Sequence, residues 1–324
     1  MNTFGRKFRI HLWGESHGES IGASIDGCPP GIPLSENDLH NNLQRRKSGA
    51  RGTTSRMEAD KPHIISGLYN GFTTGAPLTI MFLNENIRSS DYSQFKAMPR
   101  PGHADYTASQ KYGGFNDPRG GGHFSGRLTL GLVAVGVIAK KIIDPINIRA
   151  TVSEAGGSTC VDRIIEQALQ ENDLVGGLIA CTVTNVPVGL GEPFFDSVES
   201  VLAHGLFSIP AIKGVEFGAG FAAAKMKGSE HNDAFVSPDG KTATNNAGGI
   251  NGGISNGNNL VFRVAVKPAS SIGHAQQTFN FETNKMDTLE IQGRHDTCIA
   301  LRMPVIVEAV TAIVLADFTL LNHK

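Results

Sequence analysis

The 324-residue chain is 40% hydrophobic and 18% charged, a balance that supports a sizeable core and excludes an intrinsically disordered chain. A formal net charge of −1 argues against nucleic-acid binding through a global basic field, although local basic clusters stay open. Cys28, Cys160, Cys181 and Cys298 lie far apart without a Cys-x-x-Cys pair, which speaks against a disulfide framework or a zinc site and fits a reducing compartment.

The first seven residues lack the long apolar core of a signal peptide. Alternation through Phe8-Arg9-Ile10-His11-Leu12-Trp13 predicts a strand over 7–13. Gly14-Glu15-Ser16-His17-Gly18 then marks a sharp turn whose side chains face a pocket or bond their own backbone. In the first case His17 titrates near neutral pH and gives or takes a proton. Further strands are expected at 21–26, 77–83, 178–186 and 260–266. Helices are expected at 36–46, with Ser35 as N-cap, and at 105–112, 126–143, 162–171, 196–206 and 304–321. Glu308 and Asp317 interrupt the last, most apolar segment, so it reads as a buried helix and no membrane span. Interspersed strands and helices predict an α/β or α+β class.

A faint repeat runs through this order. Gly71-Phe72-Thr73-Thr74-Gly75 and Gly253-Ile254-Ser255-Asn256-Gly257 each lead into a strand and are displaced by about 182 positions. Ile21–Ile25 likewise resembles Leu178–Thr182, and a long apolar helix closes each half. Two related halves, 1–143 and 174–321, are therefore expected within one domain spanning 1–324.

Five clusters carry potential chemistry. Arg45-Arg46-Lys47, Arg51 and Arg56 mix with hydroxyls and glycine, fitting either an anion site or a solvated helix end. Arg100-Pro101-Gly102-His103-Ala104-Asp105 places a histidine at a turn before a helix. Arg119-Gly120-Gly121-Gly122-His123-Phe124-Ser125-Gly126-Arg127 could point amides at an anion, but matches neither a phosphate loop nor a dinucleotide fingerprint. The Gly/Asn-rich segment 244–259, followed by Lys267-Pro268-Ala269-Ser270-Ser271, reads as a binding loop more than a tether. Gly293-Arg294-His295-Asp296 fits an ion-paired corner or a carboxylate set against a proton donor. The 39 glycines, about 12% of the chain against a usual ~7%, suit a protein that lines pockets with backbone.

Together these segments resemble the chorismate synthase family over essentially the whole chain. Gly14–Gly18, Asp26-Gly27, Pro29-Pro30-Gly31, Arg45-Arg46, Arg100–Asp105, Gly248-Gly249-Ile250, Gly252–Ser255, Lys267-Pro268 and Gly293–Asp296 stand in the family's order. The resemblance implies an α+β fold, a β-α-β sandwich with a helical layer between antiparallel sheets. It implies a carbon–oxygen lyase acting on phosphates: 1,4-elimination of phosphate from 5-enolpyruvylshikimate 3-phosphate to give chorismate, dependent on reduced FMN, in aromatic amino acid biosynthesis. Catalytic roles carry over to His17, as proton donor to the leaving phosphate, to His103 beside the flavin, and to Asp296 with Ser16. Substrate-binding roles fall on Arg45, Arg46, Arg51 and Arg127. FMN positions are His123, Phe124, Ser125, Pro210, Ala211, Gly252, Lys267, Pro268, Ala269, Ser270, Ser271 and Arg294. The family's usual Arg-Ser-Ser-Ala-Arg-Glu is replaced here by His123-Phe124-Ser125-Gly126-Arg127-Leu128, and its Lys-Pro-Thr by Lys267-Pro268-Ala269. A cytoplasmic homotetramer is also implied. Some relatives reduce the flavin with NADPH. No nicotinamide fingerprint is visible here, so an external flavin reductase is expected. The competing readings are a histidine-based phosphatase or phosphotransferase, and a non-catalytic flavin- or RNA-binding protein.

Overall fold

The computed structural model describes residues 2–54, 58–85, 94–291 and 296–322. Burial of Ile10 in Arg9–Gly14, of Ile21, Ala23 and Ile25 in Ser20–Asp26, and of Leu78, Ile80 and Phe82 in Leu78–Leu83 builds one sheet with its apolar face inward. In chain order the first elements are β1 (Thr3–Phe4), β2 (Arg9–Gly14), β3 (Ser20–Asp26), α1 (Glu36–Arg46), β4 (His63–Ser66), β5 (Leu68–Tyr69), β6 (Phe72–Thr73) and β7 (Leu78–Leu83). Then come α2 (Asp105–Lys111), α3 (Thr129–Ile142), β8 (Asn147–Ala155), α4 (Val161–Glu171), β9 (Gly177–Thr184), α5 (Val198–Phe207) and β10 (Ile212–Phe217). The chain ends with α6 (Gly228–His231), β11 (Ile250–Asn251), β12 (Ile254–Ser255), β13 (Leu260–Val266), β14 (Gln276–Asn280), β15 (Lys285–Leu289) and α7 (Pro304–Asn322).

One antiparallel sheet has the order β1-β2-β3-β7-β4, the other β10-β13-β9-β8. Helix α3 packs on the first sheet with α1 beside it, while α7 and α5 cover the second and α7 lies along α3. The expected β-α-β sandwich is therefore the observed architecture. Helix α3 is buried from Thr129 to Ala139 and α7 from Val305 to Phe318, as an apolar helix must be when both faces meet protein. The two approach closely at Gly136, where a methyl group would stand 2.4 Å from the Cβ of Ala309.

By length and composition alone α7 could cross a membrane, but 78% of its most apolar window is buried inside the fold. Its two acids tie the layers together. Glu308 accepts from Arg45 Nη1 at 2.7 Å and Nη2 at 2.8 Å, from Lys140 Nζ at 2.9 Å and from the Ala150 amide at 3.1 Å. Burial works against its charge, yet these partners hold its carboxyl below the usual range. Asp317 accepts from the amides of Arg6, Lys7 and Phe8 at 2.9, 2.7 and 2.8 Å.

The two halves match in topology. In each sheet four strands follow the spatial order first-second-fourth-third: β2-β3-β7-β4 and β8-β9-β13-β10. Helices α1 and α5 each follow the second strand, hairpins β5–β6 and β11–β12 each precede the fourth, and α3 and α7 close the units. The second unit starts at β8, not at residue 174, because β8 is the partner of β2. The insertion of α4 between β8 and β9 and the long stretch between β10 and β11 together explain why the common displacement holds for β7 and β13 but not for β2 and β8. The helix expected over 126–143 divides into a 3-10 turn at 126–128, where Ser125 Oγ accepts from the Arg127 amide at 3.3 Å, and α3 proper.

Candidate active site

The 14–18 turn leaves β2 through Gly14, whose φ of 91° places it in the left-handed region. The Gly18 amide donates to Glu15 O at 3.0 Å, and Asn84 Nδ2 donates to Glu15 O and Gly18 O at 3.0 and 2.8 Å. The glycine run 120–122 clamps this turn. Ser16 N donates to Gly122 O at 3.1 Å, and His123 Nδ1 lies 2.8 Å from Gly14 O, which puts the ring proton on that nitrogen. Gly120, Gly121 and Gly122 have φ of 60, 79 and 53°. A Cβ on Gly120 would fall 2.6 Å from His17 Nε2 and 2.8 Å from Ser16 Oγ; one on Gly121 would fall 3.4 Å from His103 Nε2. The glycines let bare backbone pass between the two imidazoles. His17 is buried beneath Gly120, and Ser16 lines the adjacent cleft.

That cleft has a volume of about 1240 Å³ and takes its walls from both halves. At one end buried arginines meet acids. Arg46 Nε donates to Thr129 Oγ1 at 2.9 Å, and its Nη1 stands 3.6 Å from Asp60. Burial first, then Arg302 and Arg127, disfavour the Arg46 charge, with Asp60 offsetting part of this. Arg127 donates to Asp60 Oδ1 at 2.9 Å and Asn84 Oδ1 at 2.6 Å. Arg302 donates to Asp296 Oδ2 at 3.1 Å and Arg46 O at 2.9 Å, while Asp296 Oδ1 accepts from the Thr54 amide at 2.8 Å.

At the other end Arg100, Asp105 and His103 form a unit. Asp105 accepts from Arg100 Nε at 2.7 Å, Nη2 at 2.8 Å and the amide at 3.1 Å, and His103 Nδ1 lies 2.6 Å from its Oδ1. Burial opposes the Asp105 charge, but Arg100 and His103 outweigh it and hold the carboxyl well below the usual range. Arg100 Nη1 also donates to Ser271 Oγ at 3.1 Å. Lys267 Nζ reaches Gly102 O at 3.2 Å, Pro268 O at 3.3 Å and Ser270 Oγ at 2.7 Å; burial and Lys213 push its pKa down. Ala211, at φ 75°, accepts the Lys267 amide through its carbonyl at 2.9 Å.

Most residues expected in the site thus meet at one cleft: Ser16, Arg46, His103, His123, Phe124, Ser125 and Arg127 from one side. Pro210, Ala211, Lys267, Ala269, Ser270, Ser271 and Asp296 face them, with Pro268 tied to Lys267. His17 does not line it but is buried behind Gly120, and three lie elsewhere. Arg45 is taken by Glu308, Arg51 pairs with Glu166, and Gly252 occupies the exposed tip of the β11–β12 hairpin. Arg294 falls outside the described residues. Sequence reasoning gave no role to Asp60, Arg100, Asp105 or Arg302. The Arg100 and Asp105 signal was present in their motif, whereas nothing local marked Asp60 or Arg302.

An α+β sandwich with a cleft of paired buried arginines, flanked by imidazoles held on glycine-rich backbone, has the make-up of an enzyme site. The family model described as chorismate synthase matches residues 8–320. A chorismate synthase of Chitinophaga pinensis is 60% identical, the alignment covering 100% of this chain and 98% of that one. One from Dehalococcoides mccartyi is 47% identical over 98% and 96%. A crystal structure of chorismate synthase superposes with a TM-score of 0.74 at 27% identity, covering 98% of this chain and 93% of the other. The chain belongs to the chorismate synthase family.

Proposed function

We propose that this enzyme eliminates phosphate from 5-enolpyruvylshikimate 3-phosphate to form chorismate, as a carbon–oxygen lyase of aromatic amino acid biosynthesis that needs reduced FMN. The observation that carries this reading is the meeting of Arg46, Arg127 and Arg302 in one cleft with the histidine-bearing loops. A substrate with two carboxylates and a phosphate needs guanidinium forks, and Asp60 and Asp296 keep those forks oriented before it arrives.

The residues present fit a flavin. A cleft of about 1240 Å³ exceeds the ~300–1,000 Å³ usual for one small ligand, which leaves room for a cofactor beside the substrate. Phe124, Pro210, Ala211 and Ala269 offer an apolar wall, and Lys267 with Ser270 and Ser271 offers polar contacts. His123, which stands where the family usually has arginine, spends its Nδ1–H on Gly14 and so braces the catalytic turn. Reduced FMN supplies, when bound, an electron that is lent and returned, so no net redox change results.

The chain's own groups do the rest. His17 holds a proton for the departing phosphate, with Ser16 Oγ beside it at the cleft wall. His103 presents a proton-bearing or polarising group near the cofactor, and Asp296 with Ser16 serves the proton transfers around it. Arg46 and Arg127 orient the anionic substrate. Exposed Phe194, Phe195 and Phe221 fit burial in a homotetramer. Four free thiols fit the cytoplasm, with FMN reduced by an external reductase and not with NADPH by this chain. Anaerobic titration of reduced FMN in the presence of substrate is expected to show saturable binding; no binding would contradict the cofactor assignment.

A further inference from the structure

The Asp105 carboxylate lies at the start of α2, two residues beyond His103, and four donors surround it. These are the amide, Nε and Nη2 of Arg100, at 3.1, 2.7 and 2.8 Å, and His103 Nδ1 at 2.6 Å. An ionised carboxylate only accepts. At 2.6 Å an unprotonated Nδ1 would set one lone pair against another, so that nitrogen must carry a proton. Arg100 Nη2 also stands 3.0 Å from Nδ1 and would donate to it in the opposite tautomer. The shorter Asp105 contact decides between them, because the ionised Oδ1 has no proton to give and can approach Nδ1 to 2.6 Å only as an acceptor. Nε2 then remains as the ring's acceptor when the imidazole is neutral, and it lies on the edge that meets Gly121.

We propose that Asp105 is a positioning residue that fixes His103 in its Nδ1–H tautomer, so that Nε2 is the nitrogen offered to ligands in the cleft. Arg100 holds Asp105 in place and is itself tied to the 267–271 segment through Ser271 Oγ at 3.1 Å. Lys267 and Ser270 reach the same turn through Gly102 O, at 3.2 and 2.7 Å. The tautomer is therefore set by contacts from both halves of the fold. A carboxylate behind an imidazole orients the ring and selects its proton position without touching the reacting atoms.

This inference rests on the proposed function only where turnover is read. The first test is nitrogen NMR of histidine-labelled, ligand-free enzyme, with His103→Gln identifying the His103 signals. The neutral ring is expected to carry its proton on Nδ1; a proton on Nε2 overturns the proposal whether or not the enzyme makes chorismate. In Asp105→Asn the Nδ1 preference is expected to disappear. Its kcat should fall by about 10²–10⁴, the scale known for a carboxylate that sets a catalytic tautomer, while KM stays within a few-fold. Asp105→Glu should restore part of both. An unchanged tautomer with parental kcat in Asp105→Asn would also overturn it. A wild-type protein with the proton on Nδ1 but no chorismate formation would refute the functional reading alone.

Discussion

His17 and His103 stand against neighbouring glycines of one span, Gly120 and Gly121. If His17 is the general acid, His17→Ala should cut turnover by roughly 10²–10⁴ in steady-state assays, with the fold intact by circular dichroism. Turnover within a few-fold of the parent removes it from that role. Asp105 gives a pH signature. Its folded pKa lies below its unfolded value of about 3.9, so its contribution to stability is complete above that value and fades as pH falls beneath it. Asp105→Asn should therefore be less stable than the parent in urea at neutral pH, and the gap should narrow below about pH 4. A gap independent of pH would place the Asp105 interactions elsewhere. Residue types at this site were legible in the sequence, but their partners were not. Arg45 and Arg46 are neighbours on α1, about 100° apart around the helix, so one meets Glu308 on α7 and the other the cleft. The basic run could not say which face binds.

At the scale of elements, the crossing of α3 and α7 sets how the halves meet. The Gly136 contact leaves no room for a methyl group beside Ala309. Gly136→Ala gains about 1 kcal/mol of helix propensity but must push the helices apart. A net loss of about 1–3 kcal/mol is expected from equilibrium unfolding in urea. A stabilised variant would show that the helices do not approach this closely. Strands with long apolar alternation, such as β3, β9 and β13, were readable, and so were the helices with caps or unbroken apolar faces. β8 does alternate, Ile148-Arg149-Ala150-Thr151-Val152-Ser153, so its signal was present and went unread, whereas β10 contains Gly214 and its pairing with β13 supplies what local pattern lacks. The 120–122 run read as an anion-binding helix start. All three glycines have positive φ, and the bare backbone lies against His17 and His103, which arrive from distant parts of the chain.

In the whole molecule, two units of matching strand order place their helices in a shared buried layer and their loops around one cleft. The repeat was visible where the β5–β6 and β11–β12 hairpins lead into β7 and β13, and obscured where α4 enters. Side chains from both units line the cleft, so a separated half would lack part of its wall. The account stands most directly on one measurement: chorismate formation from 5-enolpyruvylshikimate 3-phosphate, followed anaerobically with chemically reduced FMN and repeated aerobically with oxidised FMN and NADPH. Chorismate is expected with reduced FMN and not in the NADPH arm. Phosphate release without chorismate, or turnover without reduced flavin, would contradict it.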